Sequence, residues 1–145
     1  MNKSKFVGKV VLLRIDNSID EAIRSISENS KNVKYPGFAV IVDKSFKLLG
    51  VITDGDIRRA YVNQLNFDNS VSSIMKKNPI VIYDDIKKEN YLNEIDRLLK
   101  NSEDHNSNWI RFVPIIGKGK KLLEIIDYFD LIKESDVKFK NVACI

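Results

Sequence analysis

The chain has 145 residues, with 24 Lys and Arg against 20 Asp and Glu, which gives a formal net charge of +4 at pH 7. Apolar residues make up 43% and charged residues 30%, the composition of a folded globular protein rather than of a disordered chain. The small basic excess forms no run, so it gives little support to nucleic-acid binding. No apolar stretch is long enough to cross a bilayer or to act as a secretory signal. The single cysteine, Cys144, excludes an internal disulfide framework and a cysteine-based zinc site, and we expect a cytoplasmic protein.

The first half of the chain alternates between strand and helix patterns. An apolar, β-branched run at 9–15 is typical of a strand, and Ser18 with Glu21 has the spacing of a capping box that opens a helix. Pro36 and Gly37 break the chain before a buried strand, and Asp43 begins the turn to a return strand. The predicted elements, in the order β-α-β-β-α, are strand 9–15, a helix from Ser18, strands 38–42 and 47–53, and helix 57–62.

The second half of the chain repeats the first. The matching pairs, each 74 residues apart, are Phe38 and Phe112, Leu48 and Leu122, and Asp56 and Asp130. Ile15 and Ile82 match at a spacing of 67, so we place an insertion in the polar stretch 101–108. The chain is thus predicted to be a duplication of a unit of roughly 60 residues. The predicted domains are 1–67 and 68–137, with a tail at 138–145.

The predicted elements of the second unit follow the same order as those of the first. They are strand 80–83, helix 88–101, strands 111–116 and 121–127, and helix 129–134. A short helix at 71–75, followed by Pro79, is predicted to join the two halves. The turn at 118–121 lacks the sequence of a phosphate-binding loop, because no Gly-Lys-Ser/Thr precedes a helix there.

Two short motifs stand out in the chain, the run Gly50–Ile57, which reads GVITDGDI, and the run Met75–Pro79. The first resembles the signature of a known family, the cystathionine-β-synthase (CBS) domain pair, and the second resembles the opening of that family's second domain. The resemblance covers roughly residues 9 to 134. It implies an α/β (α+β) fold of two β-α-β-β-α units packed as a pseudo-twofold pair. The segment TDGDIRR, Thr53–Arg59, is similar to pairs attached to sugar-phosphate isomerases and sugar-nucleotide nucleotidyltransferases.

The resemblance also implies a regulatory role without catalysis. Such pairs bind adenine nucleotides or S-adenosylmethionine in clefts between the two domains, commonly form homodimers, and regulate a neighbouring enzyme. We therefore expect AMP, ADP, ATP or S-adenosylmethionine as a regulatory ligand. We expect no cofactor beyond that ligand, and no metal, nucleic acid or membrane partner. The alternative is a pure interaction module that dimerises and binds no ligand.

The candidate binding residues cluster where the return strand of the first unit leads into a helix. Thr53 and the amides of Gly55 and Asp56 could donate to a phosphate oxygen, and the Asp56 carboxylate suits ribose hydroxyls. Arg58 and Arg59 supply counter-charges. In the alternative interpretation, Thr53 and Asp56 only cap the helix and the arginines form a solvated face. The nucleotide-binding candidates are Thr53, Asp54, Gly55, Asp56, Arg58, Phe38, Ala39, Arg111 and Asp130.

The second unit departs from this pattern. Asp127 stands where the first unit has Thr53, and a carboxylate there would repel a phosphate. Tyr128 and Phe129 replace the Asp-Gly pair, while Asp130 remains. Arg111 partly offsets the Asp127 charge, unless it is an ordinary surface arginine beside Trp109. The sequence therefore predicts two unequal sites, with the stronger one in the first unit.

Three further features are weaker. His105 has no nearby ligand partners in the sequence, and Asp84–Asp85 is interpreted as a helix cap before Lys87 rather than as a metal site. The last residues, 140–145, read as the beginning of a buried strand. That strand favours a chain cut just before the catalytic domain of a nucleotidyltransferase, of which it would be the N-terminal regulatory part. The alternative is a stand-alone protein whose tail forms an edge strand.

Overall fold

The computed structural model describes residues 3–102 and 110–143, with side chains described up to residue 138. The chain divides into two compact units. Unit 1 contains Met1–Pro79 and Lys118–Leu122, and unit 2 contains Ile80–Gly117 and Leu123–Ile145. Within these described residues the strands form two three-stranded sheets, in the strand orders β1-β2-β3 and β4-β5-β6. The predicted mixed α/β fold is therefore confirmed, with the β-α-β-β-α order present twice.

The sheet of unit 1 has a buried central strand. Strand β2 pairs in parallel with β1 and antiparallel with β3, and all five of its residues are buried. Helix α2 begins at the predicted capping box, where Ser18 and Glu21 exchange side-chain and backbone hydrogen bonds. The elements of unit 1 are α1 (Lys3–Phe6), β1 (Val11–Leu13), α2 (Ile19–Glu28), β2 (Phe38–Val42), β3 (Leu48–Thr53) and α3 (Asp54–Val62).

The segment that follows α3 packs on unit 1. The Ser70 hydroxyl donates to the Ile15 carbonyl at 2.5 Å. Val51 and Lys76 form an antiparallel bridge at the edge of β3. A single 3-10 turn, Val71–Ser73, replaces the predicted helix at 71–75. The packing boundary thus lies after Pro79, whereas the repeat limits of 1–67 and 68–137 assign residues 68–79 to the second domain.

The sheet of unit 2 is built in the same way, with β4 parallel to β5. Its buried core contains Ile82, Ile95, Val113 and Ile115. Gly117 ends β5 close to the Leu123 side chain, which a Cβ at Gly117 would approach to 2.9 Å. The elements are β4 (Ile82–Tyr83), α4 (Tyr91–Lys100), β5 (Phe112–Ile116), β6 (Leu122–Asp127) and α5 (Tyr128–Ala143).

The start of the first helix in unit 2 differs from the prediction. A 3-10 turn, Lys88–Asn90, precedes α4, and the residues before both elements make no side-chain capping hydrogen bond. The proposed cap at Asp84–Asp85 is therefore wrong. Asp84 instead continues from β4, and its backbone N–H donates to the Ile116 carbonyl at 3.0 Å.

The predicted C-terminal strand is also wrong, because residues 140–143 belong to α5. The sequence contains no glycine or proline after Gly119, and these are the strongest signals that stop a helix. Helix α5 therefore continues well past the predicted end at Glu134. The edge-strand alternative fails for the same reason. Cys144, His105, Trp109 and most of the predicted insertion at 101–108 lie outside the described residues.

None of the helices in the described part of the chain has the length and apolar character needed to span a membrane.

Gly50 is required where the 70–79 segment crosses β3. A Cβ at Gly50 would lie 2.8 Å from the Lys76 carbonyl oxygen and 2.8 Å from the Met75 sulfur. We expect Gly50→Ala to lower the free energy of unfolding by about 1–3 kcal/mol in urea denaturation, because backbone must move to make room. Gly55→Ala is the matched control. Its Cβ would meet atoms only at ordinary distances from 3.5 Å, so a comparable loss in that variant would contradict this account.

Candidate functional site

The N-terminus of α3 forms directly at the end of β3. Thr53 is the last residue of the strand and the N-cap of the helix. Its backbone N–H donates to Asp56 Oδ2 at 2.8 Å, and its hydroxyl donates to the same oxygen at 3.1 Å. The Asp56 backbone N–H returns a longer hydrogen bond to the Thr53 hydroxyl at 3.4 Å. The two residues thus form a capping box, the alternative that the sequence left open.

The Asp56 carboxylate is engaged on both oxygens. Besides the Thr53 contacts, Oδ1 accepts a hydrogen bond from the Arg59 guanidinium at 2.5 Å. The Asp56 side chain is 14% exposed, whereas that of Arg59 is 56% exposed. A ribose hydroxyl would therefore have to share or displace these donors. The capping box is compatible with ligand binding. The 3.4 Å hydrogen bond from the Asp56 amide to the Thr53 hydroxyl is longer than a normal N–H···O bond, so it is the easiest one for a ligand to replace.

Asp54 rests on Gly37, a contact that sequence reasoning missed. Gly37 has a φ of 71°, and a Cβ there would lie 2.6 Å from Asp54 Oδ2. The Asp54 backbone N–H donates to the Gly37 carbonyl at 3.2 Å. From the sequence, Pro36–Gly37 indicates only a break before β2. In the structure Gly37 also leaves room for the Asp54 carboxylate at the start of α3.

The other candidates in unit 1 divide into exposed and buried residues. Thr53, Asp54 and Arg58 are exposed, and Gly55 is half-buried. Phe38 and Ala39 are 3% and 0% exposed, and both lie on the central strand β2, where Phe38 is in register with Thr53. The side chains of Phe38 and Ala39 are thus core residues of unit 1. The exposed polar surface at this end of the sheet comes from the first turns of α3.

The equivalent position in unit 2 contains an ion pair. Asp127, at the end of β6, is 7% exposed. Its Oδ2 accepts a hydrogen bond from Nη2 of Arg111 at 3.2 Å, and Nε of Arg111 lies 3.4 Å from both carboxylate oxygens. Asp127 Oδ1 also accepts the backbone N–H of Phe129 at 2.9 Å, which caps α5. The carboxylate therefore holds both a cation and a helix amide.

Aromatic rings fix the Arg111 guanidinium over this carboxylate. Its central carbon lies 5.0 Å from the ring centre of Phe112 and 5.1 Å from that of Phe129, within the range of cation–π attraction. The sequence predicted that Arg111 offsets the Asp127 charge, but it did not reveal direct pairing. The sequence signal for this pairing is position, since Arg111 precedes β5 and Asp127 ends β6. The corresponding strands of unit 1, β2 and β3, are antiparallel neighbours.

The remaining candidate in unit 2, Asp130, is exposed in the first turn of α5. Tyr128 beside it is tied to α4, because its hydroxyl donates to Asp96 Oδ1 at 2.6 Å. That hydrogen bond is the main reason why the pKa of Tyr128 is raised to about 12, and burial adds to it. In the described ranges, no three His, Cys, Asp or Glu residues come together to hold a metal ion.

Comparison with known proteins identifies the family. Residues 3–63 match the family model of the CBS domain. A CBS-domain containing protein from Agrobacterium tumefaciens has the same fold, with a TM-score of 0.62, 26% identity, and coverage of 88% of this chain and 90% of that one. Residues 3–63 of this chain are a CBS domain, and the chain has the fold of a CBS domain pair. The resemblance drawn from Gly50–Ile57 is therefore confirmed, and the CBS pair is a regulatory module rather than a catalytic domain.

Two further proteins similar to this CBS pair bear on ligands and partners. A CBS domain protein from Pyrobaculum aerophilum, complexed with AMP, has 23% identity and a TM-score of 0.62, with 90% of each chain covered. The arabinose 5-phosphate isomerase of Francisella tularensis is 27% identical over 127 residues, which cover 87% of this chain and 34% of the isomerase. The CBS pair spans 25%, 34% and 59% of the lengths of three curated relatives that it matches.

The Tyr128–Asp96 hydrogen bond predicts a pH dependence of stability. Since the pKa of Tyr128 is raised to about 12 in the folded chain, against about 10 for an unfolded tyrosine, this stabilisation is complete below pH 10 and is lost as the pH rises from about 10 towards 12. Tyr128→Phe should lower the free energy of unfolding at pH 8 by about 1 kcal/mol.

The measurement is urea denaturation of the wild type and Tyr128→Phe at several pH values from 8 to 11. The difference between the two proteins should shrink above pH 10, while titration of other groups affects both alike. Tyr83→Phe is a control, because the Tyr83 side chain is largely exposed on β4. A difference that stays constant across this pH range would contradict the assigned hydrogen bond.

Proposed function

We propose that this chain is a cytoplasmic ligand-sensing module that binds an adenine nucleotide at the N-terminus of α3. The single observation that carries the proposal is the capping box at Thr53 and Asp56, which has an exposed Thr53, Gly55 between its members and Arg58 two residues after it. A helix N-terminus with a hydroxyl, an unobstructed glycine and a nearby guanidinium suits a phosphate. The AMP held by the structurally similar Pyrobaculum aerophilum protein supports an adenine nucleotide as the ligand.

Each residue has a distinct proposed role. The Thr53 hydroxyl turns away from Asp56 Oδ2 to donate to a phosphate oxygen, and the Gly55 amide donates to the same phosphate. Arg58 supplies the charge that favours phosphorylated ligands. Asp56 accepts a ribose hydroxyl while still bonded to the Thr53 backbone N–H, and Asp54 borders the site from its position over Gly37. Phe38 and Ala39 support the site from β2. Arg111 and Asp130 are the corresponding candidates in unit 2.

The proposed target of regulation is an enzyme that acts on a sugar phosphate or a sugar nucleotide. The similarity of Thr53–Arg59 to pairs attached to nucleotidyltransferases and isomerases supports this class, as does the similarity to the Francisella tularensis isomerase. The absence of a strand at 140–143 removes one argument for the nucleotidyltransferase in particular. Ligand binding would change the equilibrium between states of the pair, and the attached enzyme would respond to that change.

Arg58→Ala tests the phosphate role. We expect this variant to bind AMP at least tenfold more weakly than the wild type while its affinity for adenosine changes less than twofold, as measured by isothermal titration calorimetry. Arg24→Ala is the matched control, since it removes an exposed arginine of α2 that pairs with Asp20. Equal loss of affinity for AMP and adenosine in Arg58→Ala would contradict the assigned role.

A thermal-shift series with AMP, ADP, ATP, S-adenosylmethionine and adenosine tests ligand class with the unmodified chain. A ligand present at 100 times its dissociation constant should add about 2.7 kcal/mol to the free energy of unfolding. No stabilisation by any of these compounds would favour the interaction module instead.

One surface of unit 1 favours homodimerisation as a second function. A groove of about 470 Å³ is lined by Tyr61, Val62, Gln64, Leu65 and Phe67 at the end of α3. Tyr61 and Val62 are 73% and 70% exposed, which is unusual for neighbouring large apolar side chains. We propose that a second copy of the chain covers this groove.

The oligomeric state tests this second proposal directly. Light scattering after size exclusion should give twice the mass of one chain for the wild type and the mass of one chain for Val62→Asp. Val7→Asp is the control, because Val7 is equally exposed but lies outside the groove. A wild type that keeps the mass of one chain as its concentration is raised 100-fold would exclude the dimer.

A further inference from the structure

The capping residues of α3 and α5 are equivalent in the repeat but differ in charge. At α3 the capping residue is Thr53, an exposed and neutral hydroxyl. At α5 it is Asp127, a carboxylate whose side chain is only 6% exposed. The position that precedes the central strand also differs, since unit 1 has Gly37 where unit 2 has Arg111. Unit 2 therefore has an arginine and an aspartate at these two positions, whereas unit 1 has no charged residue at either one.

The contacts of Asp127 are those that a bound phosphate would need. One carboxylate oxygen accepts the Phe129 amide at the start of α5, and the other accepts the Arg111 guanidinium. An amide at a helix N-terminus and an arginine are the two groups that commonly hold a phosphate. Here the chain supplies the anion itself, and Phe112 and Phe129 hold the guanidinium in place.

We propose that Asp127 is an internal anion that closes the α5 end of unit 2 to nucleotide phosphate, so that the chain binds one phosphorylated nucleotide, at unit 1. This inference rests on the proposed nucleotide binding at α3. A phosphate at α5 would have to take both the Phe129 amide and Arg111 from Asp127. That exchange would leave a buried carboxylate without partners and beside a second anion, which is strongly unfavourable.

The test exchanges the two capping residues and counts AMP per chain by isothermal titration calorimetry. The wild type should bind one AMP. Asp127→Thr installs the unit 1 residue and frees Arg111, so it should bind two. Thr53→Asp installs the unit 2 residue at an exposed cap where Asp is well tolerated, and it should bind AMP at least tenfold more weakly. The new site in Asp127→Thr should prefer AMP over adenosine by at least tenfold, since Arg111 recognises the phosphate.

The outcomes separate this inference from the proposed function. Two AMP per wild-type chain, one AMP per chain in both the wild type and folded Asp127→Thr, or full AMP binding by Thr53→Asp would each overturn the role of Asp127. Absence of AMP binding by both the wild type and Asp127→Thr would instead reject the proposed function, and the inference with it. Binding of one AMP by Asp127→Thr alone would support the Asp127 role and reject the site at α3.

Asp127→Asn covers the case in which Asp127→Thr does not fold. The amide oxygen of asparagine can still accept the Phe129 N–H, while the charge that holds Arg111 is gone. We expect Asp127→Asn to bind a second AMP, more weakly than the first. If this variant folds and binds only one, the carboxylate charge is not what closes the α5 site. Thr53→Asp remains informative in every case, because its exposed position lies outside the core.

Discussion

The direct junction between the last strand of each unit and the following helix is the constraint on which both candidate sites depend. No loop separates β3 from α3 or β6 from α5, so the final strand residue must also cap the helix. The first amides of a helix have no partners within it and require an acceptor at that residue. Whichever side chain stands there decides both how the helix is capped and which ligand can approach its positive end.

Unit 1 and unit 2 meet this requirement in different ways. Thr53 caps with a hydroxyl, and its partner Asp56 has the reciprocal place in the capping box. Asp127 caps with a charge, and this buried charge is tolerable because Arg111 pairs with it. The Thr53 hydroxyl adds no charge of its own at the helix end, whereas the Asp127 carboxylate adds a negative charge there. The duplicated fold has thus retained its backbone arrangement while the chemistry of its two helix ends has diverged.

The sequence predicted the elements of the fold where local signals were strong. The β2 strand matched its predicted limits, and the Ser18–Glu21 capping box was found as expected. The failures occurred where a local signal was absent or ambiguous. The sequence contains no glycine or proline after Gly119 to stop a helix. The short apolar run at 140–145, however, fits a strand as well as a helix by its pattern alone. Asp84–Asp85 has the composition of a helix cap, but the pairing of Asp84 with the end of β5 depends on tertiary structure, which the local sequence does not indicate.

The sequence supplies the candidate residues of the site but not the contacts between them. Repeat spacing aligned Thr53 with Asp127 and so revealed the difference in charge. It could not reveal that Asp54 lies against Gly37, or that the Arg111 guanidinium lies over two phenylalanine rings, because both depend on strand register and side-chain direction. Those contacts change the argument about unit 2. A carboxylate at a helix end would by itself only repel phosphate, whereas a carboxylate that already holds the helix amide and the arginine also removes the groups with which phosphate could bind.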